Sequence, residues 1–379
     1  MKMCIKFDLY PMKMKIMMSL LLGMPSLLLA QSFHVHNKSN KAQNDVLISV
    51  PWAGLQKAAE GLETFKVIEP TSKKEYPYQL EYLGEKVAKN LLVQVSVPAK
   101  TSLTLQLVAG TPTAIEPKTF ARYVPERLDD FAWENDKIAF RTYGKALEGT
   151  KGDAYGLDVW VKRTNKLIID TRYKHGDYHH DLGDGLDYYH VGHTLGAGNI
   201  APVIGDKIIY PKNYHRYKIL DNGPLRTTFV LEYDPWMVGN REVSVSKKIS
   251  IDAGSQMNKI EVNFEYQGND SLPVVIGIIK RPEPGSITID EQAGITSYWE
   301  PSHGADGTTG VAVILKTPVT KSAITADQIL TYSIYRKGQP FVYYMGAAWD
   351  QAGEIMKAEK WLNYVRKFDK KTPLKINLL

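Results

Sequence analysis

KIEVNFEYQ, residues 259–267, alternates without interruption. Ile260, Val262, Phe264 and Tyr266 fall on one side of an extended chain, and Lys259, Glu261, Asn263 and Glu265 on the other. Successive side chains of a strand point to opposite faces, so this stretch predicts a strand with one buried and one wet face. Leu225 to Tyr233 alternates in the same way, with Arg226 on the side away from Phe229. Val274–Ile279, Val311–Leu315, Leu330–Tyr335 and Phe341–Met345 are apolar throughout and bounded by Gly, Pro or charge, as strands covered on both faces are. Together they predict stacked antiparallel sheets.

Upstream, five shorter runs (46–50, 64–68, 76–82, 91–97 and 103–108) read as strands of a small sandwich. Pro112 and Pro117 punctuate a linker, and a longer region begins near Phe120. The expected organisation is an N-terminal β-sandwich over 31–115 and a large sandwich over 116–379 that carries the site. One helix is expected, over 352–368, where Ile355, Ala358, Trp361, Leu362 and Val365 recur at helical spacing. It should pack on a sheet end. No repeat of 20–50 residues is visible, which disfavours solenoids and propellers.

Lys13 and Lys15 precede an apolar run from Ile16 to Ala30, broken by Gly23 and Pro25 and followed by Gln31. This has the form of a secretory leader cut after Ala30, and the run is too short and interrupted for a membrane span. The expectation is an exported, periplasmic or extracellular protein. The only cysteine, Cys4, lies in the leader. A lipid anchor, disulfides, thiolate metal sites and a cysteine nucleophile are thereby excluded from the processed chain. Of 47 basic and 41 acidic residues, Lys2, Lys6, Lys13, Lys15 and Asp8 belong to the leader, which reduces the formal charge from +6 to +3. With no Lys/Arg block either, nucleic acid is not an expected partner.

Five of the nine histidines, His175, His179, His180, His190 and His193, fall within nineteen positions, interleaved with Asp177, Asp181, Asp184, Asp187, Tyr178, Tyr188 and Tyr189. So many titratable groups among Gly183, Gly185, Gly192, Gly196 and Gly198 predict a structured loop rather than a strand interior. Three chemistries use these residue types. In β-elimination from a uronic acid, His179, His180, His190 or His193 would be the base, Tyr188 or Tyr189 the acid, and Arg226 the carboxylate clamp. In glycoside hydrolysis, Asp181, Asp184 or Asp187 would pair with a distant acid such as Glu134. As ligands, His179, Asp181, His190 and His193 suit a divalent ion, although neither HExxH nor a calcium-loop spacing is present. A polar surface loop whose aspartates only form turns is the plainer alternative.

PERLDDFAWENDKIAFRTYG, 125–144, crowds Arg127, Asp129, Asp130, Trp133 and Glu134 ahead of a strand. Trp133 reads equally as a platform for a sugar ring or as an anchor of the sheet edge.

With RLDDFAWEND (127–136), YHHDLGDGLDYYHVGHTLGAG (178–198), LDNGPLRTTF (220–229) and YMGAAWD (344–350) in this order, the chain resembles the secreted bacterial family catalogued as domain of unknown function 4861 over nearly its whole processed length. The resemblance implies association with bacteria that degrade pectin or other uronate-containing glycans, a carbohydrate ligand, and a galactose-mutarotase-like double sandwich. It assigns no catalytic residue. The resulting expectation is a lyase acting on an acidic oligo- or polysaccharide, with His179, His180, Tyr188, Tyr189, His190 and His193 as catalytic candidates and Arg226, Trp133, Arg127 and Glu134 as substrate contacts. The alternatives are a glycoside hydrolase, a sugar epimerase or a non-catalytic glycan-binding protein.

Overall fold

A computed structural model describes residues 1, 32–268 and 271–378. The expected leader, residues 1–30, lies outside the described residues apart from Met1. No helix among the described residues is long and apolar enough to cross a membrane.

The protein is mainly β. Its largest sheet has eight antiparallel strands, in the order Arg216–Asn222, Arg226–Val238, Arg241–Asp252, Met257–Tyr266, Phe341–Trp349, Thr309–Leu315, Ile295–Trp299 and Ser286–Asp290. The alternation of 259–267 sets the two faces of its fourth strand. Ile260, Val262 and Phe264 are buried in the main core, while Lys259 and Glu261 face outward. Against the inner face packs a five-stranded sheet built on Ala197–Ile204, Ser271–Ile279 and Gln328–Arg336. A second five-stranded sheet, Thr119–Val124, Asp130–Asn135, Ala139–Thr142, Asp158–Lys162 and Gly185–Leu186, adds Phe131, Trp133, Phe140, Val159 and Val161 to the same core. This last sheet carries the site.

The N-terminal residues form two smaller sheets around a separate apolar core that includes Phe33, Val50, Leu91, Val93 and Leu105. Two strands here escaped the sequence reading. Ser32–His36 sits between Ser102–Ala109 and the C-terminal strand Lys375–Leu378, with Phe33 opposite Leu378. The helix spans Ala358–Asp369, shorter than the expected 352–368, because Gly353 adopts a left-handed conformation that ends a short turn before it. It lies on the outer face of the eight-stranded sheet rather than at a sheet end. Trp361 and Val365 pack there on Ile295, Ala312, Ile314 and Ala348.

A second helix, Ile169–His175, was not expected and takes His175 out of the loop. It lacks a side-chain cap of its own. Glu134, from the site sheet, accepts hydrogen bonds from the backbone N–H groups of Ile168 and Ile169, all between 2.8 and 2.9 Å, and an ion pair from Lys162 at 2.6 Å. A buried carboxylate thus satisfies donors at the helix start that have no partner within the helix.

Candidate active site

The outer face of the site sheet carries Asp130, Glu134, Arg141, Asp158 and Lys162, all buried. Helix Ile169–His175 and the segment 176–194 cover it. Arg172 staples that segment by donating to the carbonyl oxygens of Asp177, His180 and Gly185. Asp181 accepts from the N–H groups of Gly183 and Gly185, and Asp187 N–H donates to the Tyr178 carbonyl at 2.7 Å. Gly185 has φ +126°, and a Cβ there would meet the Val161 carbonyl oxygen at 1.9 Å, so only glycine lets the loop join the sheet edge. Gly198 has moved out of the loop into a strand.

Arg141 is the hub beneath this cover. Its guanidinium reaches Asp158 at 2.5 Å, Asp187 at 2.7 Å and Asp130 at 3.5 Å, with Tyr143 and Tyr173 donating to Asp158 and Asp130. Three carboxyls around one guanidinium cannot all stay ionised away from water. Burial pushes the Asp187 carboxyl up to about 8 and Asp130 up to about 6, against the opposing pull of Arg141 and Arg127. Asp187 Oδ2 is held by Arg141, while Oδ1 has no hydrogen bond among the described residues. Oδ1 is thereby left open to a ligand.

Above Asp187 opens a cleft of about 470 Å³. Arg127, His179, Asp187, Tyr188, His190 and His193 line it, together with Lys151 and Asp153 of a facing loop. His179 Nδ1 lies 2.8 Å from the Asp187 carbonyl oxygen, which can only accept, so the ring donates from Nδ1 and, when neutral, carries its lone pair on Nε2. Arg127 spends Nε on the Tyr178 hydroxyl at 2.8 Å, and the two terminal nitrogens of its fork have no partner among the described residues. Its position is fixed by strain: Leu128 and Asp129 are consecutive non-glycine residues with φ of 51° and 63°. Tyr214 holds the Asp129 carbonyl, and Tyr123 and the Ala146 N–H hold its carboxylate. Such conformations persist only where the surroundings over-determine them.

The structure brings six expected residues to the cleft, His179, Tyr188, Tyr189, His190, His193 and Arg127, and sends four elsewhere. His180 is exposed and pairs with Asp177. Trp133 is 0% exposed, donating from Nε1 to Asn258 at 2.9 Å, so no sugar can stack on it. Glu134 is the buried helix cap and cannot face a water or a glycosidic bond. Arg226 is bound to Asp252 at 2.5 Å and Glu81 at 3.2 Å, tying the N-terminal strands to the eight-stranded sheet along a different groove of about 850 Å³. It is no carboxylate clamp for this cleft. Tyr189 lies in the cleft floor, but its hydroxyl is buried without a partner, and burial pushes its phenol up as it does that of Tyr188. Asp181 and Asp184 are turn and ion-pair residues, joined to Arg163 and Arg172. The donor set does not fit a divalent ion: among the described residues no three His, Asp or Glu side chains converge as ligands.

Raising a carboxyl's value in the folded state makes the folded state hold a proton that the unfolded chain has released. Asp187 therefore costs stability progressively as pH rises from about 4 to about 8 and nothing further above that. Thermal melts across this range should show a falling midpoint for the wild type and a flatter profile for Asp187→Asn. Parallel profiles would show that the carboxyl is ionised throughout.

The chain matches the family model described as "Domain of unknown function (DUF4861)" over residues 35–377. It is 32% identical over 283 residues to the Formosa agariphila protein named "Uncharacterized protein P7", covering 68% of this chain and 69% of that one. Among solved structures it is similar to a protein in Glycosyl Hydrolase Family 38 from Enterococcus faecalis, with a TM-score of 0.53 and 12% identity over 92% of this chain. An alpha-mannosidase from Enterococcus faecalis V583 gives a TM-score of 0.48 and 13% identity over 92% of this chain. The chain spans about half the length of these two solved structures, 47% and 46% respectively. The first likeness shows the fold alone.

Proposed function

For a chain that belongs to the family described as domain of unknown function DUF4861, we propose an exported carbohydrate-active enzyme that cleaves uronic-acid-containing oligo- or polysaccharides by β-elimination. The observation that carries this reading is the unspent guanidinium fork of Arg127 over a cleft that also holds an oriented imidazole and a protonated carboxyl.

Each group has a task. Arg127 receives the uronate carboxylate in a charge-assisted, two-pronged contact. The neutral carboxyl of Asp187 donates to the same carboxylate, so the charge that builds there as the neighbouring carbon loses its proton is tolerated. His179 Nε2 takes that proton. The C–H electron pair becomes the new C=C bond, and the bond to the departing glycosidic oxygen breaks. The leader-like pattern at 1–30 and the glycan association that the family resemblance implies support an extracytoplasmic setting and a saccharide substrate.

A panel of pectic, ulvan-like and glucuronan substrates tests this, because elimination leaves an unsaturated uronate that absorbs near the ultraviolet edge. Arg127→Ala should raise KM about 10- to 100-fold on acidic substrates, the equivalent of one charge-assisted contact, and leave KM on fully methyl-esterified substrate unchanged. An equal loss on both would remove Arg127 as the carboxylate receptor. One observation favours a second reading: a protonated Asp187 and the carboxylate Asp153 line the same cleft, as an acid and a base of hydrolysis would. New reducing ends without ultraviolet absorbance would establish it.

A further inference from the structure

Elimination also requires a proton for the departing oxygen, and the tyrosines expected to supply it are poorly placed. The Tyr189 hydroxyl is sealed, and that of Tyr188 is engaged with Thr309 Oγ1 at 2.6 Å. We infer that His303, oriented by the buried carboxylate of Glu300, is the proton donor to the leaving group; the inference rests on the elimination reading of the cleft.

The pair lies in EPSHGADG, 300–307, a stretch between the strands Ile295–Trp299 and Thr309–Leu315. The His303 ring meets the ring of Tyr188, a wall of the cleft, edge to face with centroids 4.9 Å apart. Its Nε2 is sealed from solvent and faces Glu300 Oε2 at 3.5 Å, yet the side chain as a whole keeps 30% exposure. Nδ1 has no bond among the described residues. Glu300 is 0% exposed at its side chain, and its other oxygen accepts from Arg281 Nε at 2.6 Å. Arg281 in turn donates to the His190 carbonyl at 2.7 Å and lies over the Tyr189 ring. One connected run of polar groups thus joins the histidine loop to Glu300, whose free oxygen faces His303.

Glu300 Oε2 and His303 Nε2 are both buried without a hydrogen-bond partner. Leaving two such atoms unpaired is costly, and a shift of a few tenths of an ångström pairs each with the other. A carboxylate fixed on one imidazole nitrogen sets the tautomer, turns the other nitrogen outward and stabilises the imidazolium form. His215 shows the contrasting, structural arrangement, with Asp234 at 2.5 Å on one nitrogen and Glu148 at 3.1 Å on the other, so neither is left for a substrate. In the proposed step the His303 imidazolium gives its proton to the oxygen as the C–O electron pair leaves with it, while His179 holds the proton taken from carbon. Exchange of both with water restores the site, and no oxidant or reductant is needed.

The leaving group provides the test. With natural acidic oligosaccharides His303→Gln should lower kcat about 100- to 1,000-fold and Glu300→Gln about tenfold, in the range of general-acid contributions. On a synthetic uronate whose departing group is a nitrophenoxide, which needs no proton, both variants should stay within about threefold of wild type. Equal losses on the two substrates, or none on either, would overturn the assignment to His303 while leaving the cleft reading intact. A wild-type protein that eliminates from neither substrate overturns both. Matching melting temperatures for the variants and the wild type establish that the comparison is made between folded proteins.

Discussion

Arg141→Met is expected to lower the stability of the protein by about 3–5 kcal/mol at neutral pH, the cost of breaking a buried ion pair by removing one partner. Methionine keeps much of the side-chain length, so little of the loss comes from a cavity. What remains is a set of largely buried carboxyls at Asp130, Asp158 and Asp187 that no longer face the Arg141 cation. Urea unfolding followed by tryptophan fluorescence reads the effect, since Trp160 lies under the Arg141 guanidinium. The pH dependence separates this cause from simple packing. Burial pushes the Asp130 carboxyl up to about 6 and that of Asp187 up to about 8, so below about pH 5 both hold protons whether or not the guanidinium is present. The deficit should therefore narrow on acidification. A loss below about 1 kcal/mol, or one equal at both pH values, would mean that the three aspartates do not depend on Arg141.

His179→Ala should have the opposite profile, with kcat falling about 100- to 10,000-fold, as expected for loss of a general base, and stability nearly unchanged. The ring is 60% exposed at its side chain and makes its hydrogen bond to one carbonyl, so its removal opens no cavity and frees only the Asp187 carbonyl oxygen. His180→Ala is the internal control. It is the chain neighbour of His179, but its ring points into solvent beside Asp177 and should be dispensable in the same assays of turnover and melting. Equal activity of both variants would move the base to His190 or His193.

The sheets were legible where periodicity is local. The alternation of 259–267 fixed the faces of its strand, and the four apolar runs at 274–279, 311–315, 330–335 and 341–345 each lie within a strand. The loop was legible from its composition, since clustered imidazoles and glycines are incompatible with a strand interior, and six of its named groups and their neighbour Arg127 do line or border the cleft. The partners beneath were not. Arg141, Asp158 and Asp187 meet because the strands 139–142 and 158–162 pair with Arg141 opposite Asp158 and the loop folds over them, and no local pattern encodes that register.

Trp133 and Glu134 were misassigned although a signal existed. DFAWEN alternates, so Phe131 and Trp133 had to share one face and Asp130 and Glu134 the other. Read that way, the tryptophan belongs to the core, and the carboxylates belong to the side where the helix and loop come to rest. Arg226 illustrates a different limit. Its strand direction was read correctly, but which groove it meets depends on where the N-terminal strands dock, through Gln79 and Glu81, more than a hundred residues away in sequence.

Pairing of residues 32–36 with residues 375–378 sets the order of synthesis against the order of assembly. Among the described strands Ser32–His36 comes earliest in the chain, yet it is flanked by one made about seventy residues later and by one near the far end of the described residues, so this sheet stays one strand short until 375–378 have been made. In that interval Ser32–His36 presents a bare row of peptide groups, an adhesive margin that a chaperone or a second nascent chain can occupy.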